Sequence, residues 1–129
     1  LDKRWLEPYG IDPDTAFVAL IPYSGQVVTH FERRRELGLP DTQPLVDDMA
    51  PLSYVRPDCR PMLILSGDRE REMLGRYEEN AYFWRMMRVA GHPDVRICEF
   101  DGFDHGNMPQ AGHFVAVRYI REMERRMDR

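Results

Sequence analysis

Two short apolar runs, "PMLILSG" (61–67) and "VRICEF" (95–100), flank a stretch with helical periodicity, and this order constrains the fold more than any other feature. Strands buried on both faces read as near-continuous apolar runs, and joining two of them in parallel requires a crossover, usually a helix. The intervening "RYEENAYFWRMMRVAGHPD" supplies one: Tyr77, Ala81, Trp84 and Met87 recur at helical spacing, and Gly91 and Pro93 stop the helix. A third run of the same build, "AFVALIPYSG", covers 16–25. Near the C-terminus, Phe114, Val117, Ile120, Met123 and Met127 trace one apolar stripe, with Arg and Glu between them. Strand, helix, strand, helix predicts an α/β domain over residues 1–129, with about three core strands in a mainly parallel sheet between helical layers.

Residues 27–60 interrupt this rhythm. Prolines at 40, 44, 51 and 57 and weak periodicity argue against a long regular element, while Phe31, Leu37, Leu45, Met49 and Tyr54 argue for a folded, lid-like insertion packed over something.

Composition excludes several function classes. With 43% hydrophobic and 31% charged residues and a net charge of −4, the chain has globular character and no basic stripe suited to nucleic acid. No apolar run approaches the roughly 20 residues that span a bilayer. Cys59 and Cys98 have no metal-ligand spacing and are expected as free thiols, so a zinc-type metal site is not expected.

Ligands of open parallel sheets bind beyond the carboxyl ends of the strands. Both ends here are polar. After 61–67 comes "DRERE", with Asp68 and Glu70, and after 95–100 comes "DGFDHGNM", with His105. Glu70 and His105 are 35 residues apart, about one helix and one strand with their loops. A carboxylate on one strand end can meet an imidazole on the next, fix its tautomer and stabilise its protonated form, which is two thirds of a catalytic triad. His30, Gln26 and Tyr23 are candidates for the mouth of a substrate pocket, His92 reads as a solvated turn residue, and His113 as a residue that caps or packs the last helix.

"PMLILSGDRE", "DGFDHGNM" before a last amphipathic helix, and "DDMAPLSYV" upstream together resemble the C-terminal half of an α/β-hydrolase. The resemblance runs from about Trp5 to the end and is to the esterase/lipase branch, which includes hormone-sensitive-lipase-like and feruloyl or acetyl-xylan esterases. It implies His105 as the catalytic histidine, Glu70 as the triad acid with Asp68 as the alternative, an ester of an acylated sugar or a short-chain lipid as substrate, and chemistry that needs neither a metal nor an organic cofactor.

The family's nucleophile lies in G-x-S-x-G, ahead of the acid and the histidine. The chain's three serines, Ser24, Ser53 and Ser66, have no such frame, and an HGG-type oxyanion loop is also missing. The resemblance therefore implies a hydrolase fragment that supplies acid and base but no nucleophile. The alternative is a truncated, noncatalytic α/β module that acts by associating with another chain. Either way, the run 16–25 would lack a neighbouring strand, so a homodimer or a strand-swapped assembly is expected.

Overall fold

The computed structural model describes residues 1–128. Short helices α1 (Pro13–Ala16) and α2 (Phe31–Glu36) precede β1 (Met62–Gly67), α3 (Arg76–Val89), β2 (Val95–Phe100) and α4 (Met108–Met127). β1 and β2 pair in parallel, from Met62 opposite Val95 to Gly67 opposite Phe100. Every residue of β1 is buried. Because successive side chains leave a strand on opposite faces, Met62 and Ile64 meet Phe83 and Met87 of α3, while Leu63 and Leu65 meet Met108, Ala116, Tyr119 and Met123 of α4. The result is a helix layer on each side of the sheet.

The expected third strand is only partly formed. Residues 20–24 run parallel to β1 and touch it in two isolated bridges, Leu20 with Met62 and Tyr23 with Leu65. Leu20 N donates to Pro61 O at 2.9 Å, and Ser24 N donates to Leu65 O at 2.7 Å. Between them stands Pro22, whose carbonyl accepts from Leu65 N at 3.0 Å but which has no N–H to return. One rung is lost, and the ladder breaks into bridges.

Each long helix buries only part of the stripe that its large apolar residues suggest, Met87 in α3 and Met123 in α4, and joins polar or small residues to it. In α3 the buried row is Arg76, Asn80, Phe83 and Met87, whose first two members hydropathy does not count as core. In α4 the buried row is Met108, Gly112, Ala116, Tyr119 and Met123, and Phe114 is 81% exposed. Close approach to the sheet decides this. A Cβ on Gly112 would lie 2.9 Å from the Tyr23 ring, so the inward face takes small residues where the helix crosses the edge segment.

The 27–60 segment is folded by polar anchors. Arg34, nearly buried, donates to the carbonyls of Thr29, Asp41 and Gln43, and Thr29 Oγ1 donates to Asp47 Oδ1 at 2.6 Å. His92 is buried rather than solvated: it accepts from Asp94 N at Nδ1 and bonds Cys59 O through Nε2 at 3.1 Å. Cys59 and Cys98 are free thiols. Among the described residues no helix is long and apolar enough to cross a membrane.

The helix registers predict opposite outcomes for two apolar truncations. Leu65→Ala, at a fully buried site, should cost about 2–5 kcal/mol, whereas Phe114→Ala should stay within about 0.5 kcal/mol. Urea unfolding of the two variants measures both. A larger loss at Phe114 would contradict the observed face of α4.

Candidate active site

The carboxyl ends of β1 and β2 lie side by side, and the loops that leave them are tied together. Asp68 N donates to Phe103 O at 2.8 Å, Gly102 N donates to Asp68 Oδ2 at 2.8 Å, and Arg71 donates to Gly102 O at 2.6 Å. Gly67 sits where the loops cross: a Cβ there would meet Phe103 O at 2.6 Å, so only glycine admits this approach.

After Asp68 the chain curls through one tight turn. Arg71 N and Glu72 N both donate to Asp68 O, at 2.9 and 2.8 Å, and Glu70 N donates to Asp68 Oδ1 at 2.8 Å. The curl sends Glu70 outward and Glu72, four residues after Asp68, back over the end of β1. The Glu72 side chain is 0% exposed while that of His105 is 44% exposed, and His105 Nδ1 lies 3.0 Å from Glu72 Oε2. Glu72 also accepts from Ser24 Oγ at 2.5 Å, Gly67 N at 3.1 Å and Met73 N at 3.0 Å.

Ser24 completes this cluster. Its Oγ is 3.1 Å from His105 Nδ1, its side chain is buried, and its backbone is left-handed at φ 46°, a sparsely populated conformation for a non-glycine residue. The Ser24 hydroxyl proton is directed to Glu72, so Nδ1 of His105 must carry its own proton to bond the carboxylate. That leaves the Nε2 lone pair free, and Nε2 has no hydrogen-bond partner among the described residues. An imidazole nitrogen without a partner, on a half-exposed ring oriented by a buried carboxylate, can accept a proton from a nucleophile and return it to a leaving group. Ser24 itself is not placed to attack: its oxygen is buried, is bound to the acid, and contacts Nδ1 rather than Nε2.

Esterase 2 of Thermogutta terrifontis, solved phosphoramylated by tabun, is similar in structure, with a TM-score of 0.62 and 22% identity over 81% of this chain and 41% of that one. The fold is esterase-like. This chain spans less than half the length of that esterase. No protein-family model and no curated protein matches the chain.

Within this esterase-like fold the sequence-based candidates separate. His105 does meet a carboxylate, but neither Glu70 nor Asp68 supplies it. Asp68 spends its oxygens on loop amides, chiefly that of Gly102 and then that of Glu70, which hold its carboxyl below the ordinary range. Glu70 is exposed on the outside of the turn. Spacing along the strand end could not reveal the curl; the aspartate just after a strand, with amides following it, was the available signal for it. Ser24 carried no signal beyond its place before Gly25.

The proposed pocket residues also part company. Gln26 lines a hollow with Phe31, Met73 and Leu74, and its amide oxygen is buried with no protein partner among the described residues. Tyr23 lies inward against α4, beside the His113 ring at 5.4 Å. His30 caps α2, accepting from Glu32 N at 3.2 Å, and stacks on Phe31.

Burial raises the Glu72 carboxyl, but the Ser24 hydroxyl, the Met73 and Gly67 amides and the neighbouring His105 outweigh it and hold it below the ordinary glutamate value. A carboxyl depressed on folding adds stability that is full above its unfolded value and is lost as pH falls through its native value. Ser24→Ala removes the strongest of the lowering contacts, so the Glu72 titration should move up, and the stability lost on acidification should be smaller and be gone at a higher pH. Carboxyl carbon NMR of Glu72, with urea midpoints across acid pH, tests this; an unmoved Glu72 titration would deny the serine that role.

Proposed function

We propose that these residues supply the acid and base of a carboxylic ester hydrolase of the α/β-hydrolase esterase/lipase type. His105 is the general base and acid, Glu72 orients its ring and stabilises the imidazolium, and the serine nucleophile comes from polypeptide outside these 129 residues. The single observation that carries the reading is the contact between His105 Nδ1 and the buried Glu72 carboxylate at adjacent ends of parallel strands, with Nε2 left free. In the complete site the nucleophile's proton passes to Nε2 as its oxygen attacks the ester carbonyl. The same proton then goes to the departing alkoxide, and water repeats the cycle on the acyl-enzyme.

The hollow at Gln26, Phe31, Met73 and Leu74 adjoins the acid along the chain, with Met73 next to Glu72 and Gln26 two residues from Ser24. We assign it to part of the ester substrate: Phe31, Met73 and Leu74 give apolar contact for a short acyl chain, and Gln26 with the charged Arg34, Arg35 and Asp41 on the same wall suits the hydroxyls of an acylated sugar. The outer edge of residues 19–24 bears unpaired backbone beside the half-exposed Phe17 and Val18, which favours pairing with a further strand, from the nucleophile-bearing segment or from a second copy of the chain.

These residues alone should not turn over p-nitrophenyl acetate. The longer product of the same reading frame, if it carries a G-x-S-x-G ahead of Leu1, should do so. In that protein His105→Ala and Glu72→Gln should each lower kcat/KM on the order of 10³-fold or more, and Glu70→Gln should leave it nearly unchanged. Turnover that survives His105→Ala would sink the proposal. Light scattering of the 129-residue chain should show a dimer; a monomer whose amides at 19–24 are protected from exchange would mean that the edge is covered from within.

A further inference from the structure

The first turns of α3 bury side chains that an amphipathic helix ordinarily shows to water. Arg76 and Asn80 are 6% and 0% exposed, and the Glu79 side chain is 10% exposed. All three grip one stretch of backbone, residues 24–28. Asn80 Nδ2 donates to Gly25 O at 2.8 Å. Arg76 donates to the Ser24 carbonyl and, through Nε, to Glu79 Oε1 at 2.8 Å. Glu79 Oε2 then accepts from Val27 N at 3.1 Å and Val28 N at 3.0 Å. The chain leaves the sheet edge here, so these peptide groups have no ladder to join and take side-chain partners instead.

The stretch so gripped begins with Ser24, and a left-handed non-glycine residue persists only where its surroundings over-determine it. The Ser24 and Gly25 carbonyls and the Val27 and Val28 amides are fixed by directional bonds, charge-assisted where Arg76 and Glu79 make them, which specify rotation as apolar packing does not. We propose that Arg76, Glu79 and Asn80 form a clamp that holds Ser24 left-handed and, through its hydroxyl, sets the geometry of the Glu72–His105 pair. They are positioning residues: none of them touches the imidazole. The clamp itself stands on contacts in this chain, and only its catalytic consequence rests on the esterase reading.

The test follows the tautomer of His105 in the 129-residue chain with labelled imidazole nitrogens at alkaline pH. Asn80→Ala should lower the fraction protonated at Nδ1 by about twofold or more, in the same direction as Ser24→Ala, because loosening the Glu72 carboxylate at Nδ1 weakens the acceptor that keeps the proton there. Glu79→Gln keeps one acceptor oxygen and should lower it less, and it serves if Asn80→Ala fails to fold. Arg76→Lys keeps a donor toward Ser24 O and should recover most of the original ratio. Trp84→Phe, which loses a hydrogen bond to Val95 O farther along the same helix, should leave the ratio unchanged. An unchanged ratio in both Asn80→Ala and Glu79→Gln, or an equal change in Trp84→Phe, overturns the clamp. If the ratio moves as stated while ester hydrolysis by the longer product survives His105→Ala, the clamp stands and the esterase reading falls; the converse pair of results overturns the clamp alone.

Discussion

The carboxylate of Glu72 organises the end of this molecule where chemistry can occur. A charge taken fully out of water is tolerated only with a complete set of hydrogen-bond donors, and the donors come from four places in the chain: Ser24 on the edge segment, Gly67 at the end of β1, Met73 in the same loop, and His105 beyond β2. Satisfying one buried anion therefore fixes the relative positions of three successive strand ends. The same set of bonds selects the Nδ1-protonated tautomer of His105 and leaves Nε2 without a partner among the described residues, so the condition for burying the acid is also the condition for making a base.

The scaffold beneath it works by division of labour. Alternate residues of β1 send apolar side chains to α3 and α4, and the parallel pairing with β2 brings both carboxyl ends to one side. Asp68 and Arg71 then lace the two loops, and the Arg69 guanidinium pairs with Glu99 at 2.7 Å across the same junction. Far from the site, Arg96, Arg126, Asp94 and Glu122 fasten the start of β2 to the end of α4, with the Arg96 guanidinium beside Glu122 drawing that carboxyl down to about 2. Tyr119 lies under this network, and burial pushes its phenol up to about 12. Ionic contacts thus secure both ends of a sheet whose middle is apolar.

The segment 20–24 is the least regular part of the core and the part that bears the cluster's serine. Pro22 removes one rung from its ladder, and the backbone turns left-handed two residues later. Loose sheet pairing and a strained serine are compatible because the first turns of α3 supply polar partners where the ladder stops. A more regular strand would have carried Ser24 in extended backbone, away from Glu72.

The α/β class, the parallel order of the two central strands, the crossover helix and the place of His105 at a strand end were all legible in the sequence, because each depends on local periodicity or on the direction in which a strand points its end. The hydrogen-bond partner of His105 was not: Asp68, Glu70 and Glu72 alternate with arginines in one short run, and only the turn closed on the Asp68 carbonyl decides which carboxylate faces inward. Met87 and Met123 were expected inside, but the polar and small members of the buried stripes escaped for a related reason, since Arg76, Asn80 and Gly112 are inside by virtue of bonds and close contacts made to residues 23–28. Sequence by itself determined which elements form and which ends carry polar groups; tertiary structure decided which of those groups meet, because burial of a charge is settled by partners distant in the chain.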